Sequence, residues 1–187
     1  MTRIVAGTHG GRRLRTPAGS GTRPTSERVR EALFSALDAR GLVRGARVLD
    51  LYAGSGALGL EAVSRGAREC VLVESDRRAA ATAVANARAL GMGTVRVLTS
   101  TVAAALSPDP TEGEAADLVL ADPPYDVGEP ALEEVLGRLA AGWLAPGGTL
   151  VLERSSRSPQ PRWPAGLEPL GRPRRYGETT LWLAVRE

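Results

Sequence analysis

The stretch VLDLYAGSGALGLEA, residues 48–62, restricts the fold more than any other part of the chain. An apolar run of strand length ends in glycines that open a helical segment, the pattern of a buried parallel strand followed by a crossover helix. Glycine lets the backbone turn sharply there and lets a ligand approach without meeting a Cβ. Gly54, Gly56 and Gly59 satisfy G-x-G-x-x-G, and Glu74 follows 20 residues after Gly54, where a carboxylate at a strand end can bind two ribose hydroxyls. The spacing predicts an adenosine-type ligand. By itself it also fits a dinucleotide.

The rest of the chain supports an α/β fold. Apolar runs at 48–51, 70–73, 95–98, 118–121 and 150–152 alternate with helical segments at 58–64, 77–90 and 131–141, the rhythm of a parallel sheet covered on both faces. After Glu153 a Pro-rich and Arg-rich loop intervenes. Then 168–176 and 180–185 read as two strands joined at Gly177-Glu178, an antiparallel ending. Upstream, short apolar pieces around Ile4-Val5 and Leu14 are separated by THGG and read as a hairpin that Gly10 and Gly11 leave free to move. Thr25 or Ser26 can cap a helix on which Val29, Leu33, Ala36 and Leu37 recur at helical spacing. The expected division is an arginine-rich hairpin extension over 1–22 and one main domain over 23–187, a length that suits a single core.

Three features pull away from a dinucleotide. Asp50, four residues before Gly54, puts a carboxylate where a pyrophosphate would be repelled but a cationic amino-acid moiety would be held. A second mononucleotide-binding half is not visible. The fourth strand runs directly into DPPY, Asp122 to Tyr125.

Taken in order, Asp50-Leu-Tyr-Ala-Gly-Ser-Gly, Glu74, Asp122-Pro-Pro-Tyr125 and the LAPGG turn at 144–148 resemble the class I S-adenosylmethionine-dependent methyltransferases. More closely, RIVAG (3–7), RPTSERVREALF (23–34) and RRYGET (174–179) resemble the RsmD family, which methylates a guanine N2 of 16S ribosomal RNA. The resemblance spans nearly the whole chain. It implies a Rossmann-like methyltransferase fold, a mostly parallel seven-stranded sheet with an antiparallel C-terminal strand and a small N-terminal β-hairpin. It implies S-adenosyl-L-methionine as cofactor, held by Thr25, Arg30, Asp50, Tyr52, Gly54, Ser55, Gly56, Glu74, Ser75, Ser100, Thr101 and Asp122. Asp50 and the 54–56 backbone would face the methionine end, Glu74 the ribose, and Arg30 the cofactor carboxylate. Ser100-Thr101 stand where class I enzymes often place an Asp near the adenine amine.

DPPY suits an exocyclic amine. Such a nitrogen must pyramidalise to attack a methyl group, and acceptors that hold its two N–H groups favour that geometry and stabilise the charge that grows on it. Asp122 supplies one acceptor; the Pro123 carbonyl supplies the second, its direction restricted by Pro124. Tyr125 can stack on a base taken out of its surroundings. The same chemistry serves an adenine-N6 methyltransferase on DNA or RNA, and a non-catalytic RNA-binding assembly factor could keep the fold. Both stay open beside the guanine reading.

Charge placement favours a polyanion. All 24 basic residues are Arg, and they concentrate in two flanks: seven against the single acid Glu27 in 1–30, and six against Glu168 in 154–176. By the resemblance Arg3, Arg12, Arg13, Arg15 and Arg174 would grip RNA phosphates. The expected partner is 16S rRNA or a small-subunit precursor, the expected state a monomer. Trp143 reads as core; Trp163 and Tyr176 fit cover or contact equally. With one Cys and one His a zinc site is not expected, and His9 reads as exposed or RNA-touching. Cys70 reads as a buried strand residue that forms no disulfide, in keeping with the cytoplasm and with the absence of a long apolar run.

Overall fold

A computed structural model describes residues 2–16, 27–111, 113–124 and 126–187. Strand β3 (Arg47–Leu51) carries apolar side chains toward both faces and lies inside the sheet for that reason. It pairs in parallel with β4 (Glu69–Glu74) and β6 (Ala116–Ala121). Parallel β5 (Val95–Thr99) and β7 (Leu144–Ser155) extend the sheet on either side. The C-terminal β10 (Thr179–Arg186) runs antiparallel to β7, and two short strands, β8 (Leu167–Pro169) and β9 (Arg174–Tyr176), pair with β10. The order is β5-β4-β3-β6-β7-β10-β8, with β9 beside β10. Strand order reverses between β3 and β6, which leaves a crevice at their C-terminal ends.

The sheet has eight strands rather than seven, because the segment expected as one strand over 168–176 is interrupted. Pro173 has no N–H to give a ladder, and Gly171 turns the chain at φ +77°. β7 is also much longer than 150–152. One short helix escaped the sequence pattern: α4 (Val102–Ala105), a single turn started by the Thr101 hydroxyl, which accepts from Ala104 N at 3.2 Å.

Strand alternation divides the core in two. Leu49, Leu51, Val119, Leu150 and Leu152 face α4 and α5 (Glu129–Arg138). Val48, Cys70, Leu72, Leu118, Leu120 and Val151 face the other side, where α1 (Glu27–Asp38) contributes Leu33, Phe34 and Leu37. α2 (Ala57–Ser64) and α3 (Arg77–Ala89) follow β3 and β4. Trp143 and Trp163 pack, half-buried, on the first cluster, and the Trp143 indole N–H donates to the carbonyls of Leu106 and Pro108. Tyr176 packs against the second.

The N-terminal hairpin, β1 (Thr2–Arg3) and β2 (Arg13–Leu14), is anchored rather than free to move. Ile4 and Leu14 enter a cluster with Leu60, Leu90 and Met92. The Glu61 carboxylate, fully buried on α2, accepts from Val5 N at 2.7 Å and Ala6 N at 3.0 Å. Ser64 accepts at its carbonyl from Thr8 N and donates its hydroxyl to Ala6 O. At Gly7, φ +84°, an added Cβ would lie 1.9 Å from Ser64 O, so the hairpin closes on α2 only through glycine. His9 is half-buried, its N–H donating to Ser64 Oγ at 3.0 Å.

Two substitutions test this anchor. Glu61→Ala leaves two backbone N–H groups and the Arg65 guanidinium without their acceptor and Arg30 without its buried counter-ion, and is expected to destabilise the fold by about 3–5 kcal/mol, read by urea denaturation. Gly7→Ala is expected to expose the hairpin to protease at concentrations that leave the wild-type chain intact.

Candidate active site

The crevice is built from the ends of β3, β4, β5 and β6. At the end of β3 the chain turns sharply: Tyr52 has φ +62°, a left-handed conformation that a bulky side chain adopts only where its surroundings enforce it. The Tyr52 ring packs half-buried on the first core cluster, and burial raises its pKa. The glycine loop that follows is held by two acids. Glu74 accepts from Gly54 N at 2.7 Å and from Asp76 N at 2.7 Å. Asp50, 1% exposed, accepts from Gly59 N at 2.8 Å. Gly59 is required by close approach: a Cβ there would lie 2.3 Å from Leu72 Cδ2 and 2.7 Å from Cys70 Sγ.

Burial pushes the Asp50 carboxyl up to about 7; the Gly59 hydrogen bond opposes this and the charge of Glu74 adds to it. Asp50 is thus a carboxylate kept in a medium where its charge is costly unless a cation lies alongside. Burial likewise raises the Cys70 thiol far above its ordinary value, so it stays protonated and inert.

Alternation places four acids on one face of the sheet. Asp50 shares the parity of Val48, Glu74 that of Leu72, Asp122 that of Leu120 and Glu153 that of Val151, all on the α1 side. The last register pair is Ala121 with Leu152, so Asp122 leaves β6 at the level of Glu153 of β7. Glu153 is buried and accepts from the Thr179 hydroxyl at 3.3 Å. Beyond Asp122, Pro123 is buried and Pro124 exposed, and Val127 N donates to Pro124 O at 3.0 Å, closing a turn. Arg154 of β7 pairs with Glu129, the first residue of α5, and so fastens the far end of this turn to the sheet.

The other expected site residues divide. Ser55 and Gly56 lie in the loop; exposed Ser75 follows β4. Ser100 N donates to Glu74 O, and Thr101 caps α4, which puts both at the β5 end of the crevice. Arg30 is elsewhere. It is 1% exposed, donates to Thr2 Oγ1 and Arg3 O, and pairs with Glu61 at 3.6 Å, so here it anchors the hairpin instead of reaching into the crevice. Burial lowers its pKa against the pull of Glu61. Thr25 and Tyr125 lie outside the described residues. Arg3, Arg12, Arg13, Arg15 and Arg174 are all exposed; Arg3 pairs with Glu27 at 3.0 Å, and Arg12 donates to Ala89 O.

Three residues that sequence reasoning passed over take part. Asn86 of α3 donates to both Ser55 O and Arg15 O and accepts from Arg15 N, joining glycine loop to hairpin. Glu61 and Glu153 are the others. Their signal was present: each is a polar residue within an apolar face, a position where burial demands a partner.

The sequence matches the family described as Conserved hypothetical protein 95 over residues 2–185. It is 37% identical over 186 residues to "Ribosomal RNA small subunit methyltransferase D" of Escherichia coli, covering 99% of this chain and 90% of that one. The solved structure of yhhF from Escherichia coli superposes with a TM-score of 0.87 at 34% identity, covering 100% of this chain and 98% of that chain. The chain belongs to the RsmD family. A more distant neighbour is the Thermus thermophilus 16S rRNA N2 G1207 methyltransferase (RsmC) in complex with AdoMet and guanosine, with a TM-score of 0.66 at 27% identity over 91% of this chain and 45% of that one.

As an RsmD-family chain, the protein is an S-adenosylmethionine-dependent methyltransferase with a Rossmann-like fold. The crevice fits that cofactor. Its sulfonium and ammonium are cations, and the crevice wall carries the carboxyl groups of Asp50 and Glu74, the first in a buried setting where a cation alongside would favour its charged form.

Asp50 also makes stability depend on pH. The folded state retains a proton there that the unfolded chain releases near 3.8, so stability falls as pH rises from about 4 to about 7 and is level above that. Asp50→Asn keeps an acceptor for Gly59 N–H. It is expected to be more stable than wild type at pH 8, by up to about 4 kcal/mol, and indistinguishable at pH 4, with a weakened thermal shift on adding S-adenosylmethionine.

Proposed function

We propose that this chain transfers the methyl group of S-adenosylmethionine to the exocyclic N2 of a guanine in small-subunit ribosomal RNA. The observation that carries the reading is the DPPY turn at the end of β6, one strand from the glycine loop, in a chain 37% identical to a ribosomal RNA small subunit methyltransferase over nearly its whole length. The adenine-N6 and non-catalytic readings find no comparable support.

The cofactor supplies a methyl group bound to a positively charged sulfur. The chain supplies position and electrostatics. Asp122 accepts one N–H of the guanine amine and the Pro123 carbonyl the other, which turns the nitrogen lone pair toward the crevice. Pro124 holds the preceding residue extended, so that carbonyl keeps its direction, and neither proline adds an N–H that would compete for the lone pair. Asp122 then stabilises the charge that grows on nitrogen. Tyr125 supplies a face for the base to stack on. The acidic face raises the local concentration of a cationic donor, while the exposed arginines of the hairpin, Arg13 and Arg15 among them, bind phosphates. The reading extends to an assembling small subunit as substrate and to a monomeric enzyme.

The test is transfer of labelled methyl to unmethylated 16S rRNA, to small subunits and to DNA, followed by nucleoside analysis. N2-methylguanosine is expected; N6-methyladenosine overturns the choice of base. Asp122→Ala is expected to lower kcat by about 10²-fold or more while the thermal shift with S-adenosylmethionine persists. An equal loss of both would refute its role at the amine.

A further inference from the structure

On the α1 side of the sheet, away from the cofactor crevice, lies a second cavity of about 290 Å³. Its apolar wall is half-buried Ala36 of α1, Leu170, and Leu183 of β10, laid over the buried Leu33 and Leu181, and its rim is Arg40, Arg172 and Arg174. No acid lines it, and none of the crevice residues Asp50, Glu74 or Asp122 takes part. The three arginines are exposed and, among the described residues, their guanidinium groups have no carboxylate partner. Their charge is therefore available to an anion, unlike that of Arg30, Arg47, Arg65 and Arg154, each of which is paired with an acid. The wall is rigid: Leu170 N donates to Leu183 O at 2.7 Å, and Arg174 pairs with Leu181 in the β9–β10 ladder.

The cavity has a fixed relation to the methylation site. Leu181 is the cross-strand partner of Glu153, and Asp122 leaves β6 at the level of Glu153. Two strand spacings, about 10 Å, therefore separate the amine acceptors from the cavity wall, on the side opposite the glycine loop. Moving across the sheet one meets cofactor, reacting amine and then this cavity.

We propose that the cavity is a subsite for a nucleotide flanking the methylated guanine on the same RNA strand, an inference that rests on the RNA methyltransferase reading above. Leu170 and Leu183 take the apolar face of the base, and Arg40, Arg172 and Arg174 take its phosphate and the next one. The volume suits one base rather than a helix, since small-ligand pockets begin at about 300 Å³. Through this subsite the C-terminal arginine flank holds the strand on the far side of the target and keeps that base at the acceptors. The hairpin arginines grip elsewhere, so strand binding is divided between two patches. Because the contacts are mainly to phosphate and to a base face, the subsite contributes affinity and register more than sequence choice.

The experiment uses the full chain with S-adenosylmethionine, unmethylated naked 16S rRNA and unmethylated small subunits. Arg40→Glu and Arg172→Glu reverse charge at the rim, and Ala36→Phe fills the cavity from α1 without changing charge. Each is expected to raise KM for the RNA about tenfold and to leave KM for S-adenosylmethionine and thermal stability unchanged. Photo-crosslinking of the wild-type complex is expected to join residues 170–174 to a nucleotide next to the methylated guanine. An unchanged RNA KM in all three variants overturns the proposal. So does a defect seen on subunits but not on naked rRNA, which would assign the cavity to an acidic segment of a ribosomal protein. Crosslinks at the hairpin with none at 170–174 count against it equally. If the wild-type chain methylates neither RNA, the function reading beneath falls first and the subsite with it.

Discussion

One carboxylate, removed from water, holds the N-terminal third of this molecule together. Glu61 sits on α2, immediately behind the glycine loop, and receives the backbone N–H groups of Val5 and Ala6, the guanidinium of Arg65 at 2.7 Å and that of Arg30 at 3.6 Å. Arg65 continues to Asp38 and lies over the Phe34 ring at 5.3 Å from its centroid. Hairpin, α1 and α2 thus share one electrostatic centre. A buried charge of this kind is tolerated because three hydrogen bonds and two cations meet it, and removal of any one partner leaves the others costly. The same centre explains why Arg30, whose sequence context resembles a cofactor contact, points into the interior.

That arrangement matters for the crevice because the glycine loop is bounded on both sides by anchored structure. Asn86 ties Ser55 to Arg15 of the hairpin, and Glu74 and Asp50 tie Gly54 and Gly59 to the sheet. The hairpin and the glycine loop are therefore fastened to one another through the Asn86 side chain. Beyond β6, the Arg154–Glu129 pair does the same for the start of α5. Preorganisation on both sides is what a reaction governed by positioning needs.

The electrostatics of the sheet are asymmetric. Alternation directs Asp50, Glu74, Asp122 and Glu153 to one face, against a chain whose flanks are basic. The acidic row suits a cationic methyl donor and the N–H groups of a base edge; the arginines outside it suit phosphates. Burial of Asp50 makes the fold less stable at neutral pH than it would be with an amide there, a cost that a bound cation offsets.

Local pattern in the chain dictates the strand–glycine–helix unit, the alternation of strands and helices, the reversal at the C-terminus and the place of DPPY at a strand end. Periodicity, glycine spacing and the restriction that Pro124 imposes all act within a few residues of their cause. The fate of Arg30, the anchoring of the hairpin, the splitting of 168–176 and the alignment of Asp122 with Glu153 emerge only from the folded arrangement. All four depend on groups far apart in the chain, such as Arg30 with Glu61 or Ala121 with Leu152, and no local pattern encodes which distant acid a buried arginine will find. Glu61 and Asn86 were visible as polar letters on apolar helix faces, but what they hold became readable only when the hairpin lay against them. Sequence names the chemistry because reactive groups must be of the right kind; structure names their partners because burial makes pairing obligatory without saying with whom.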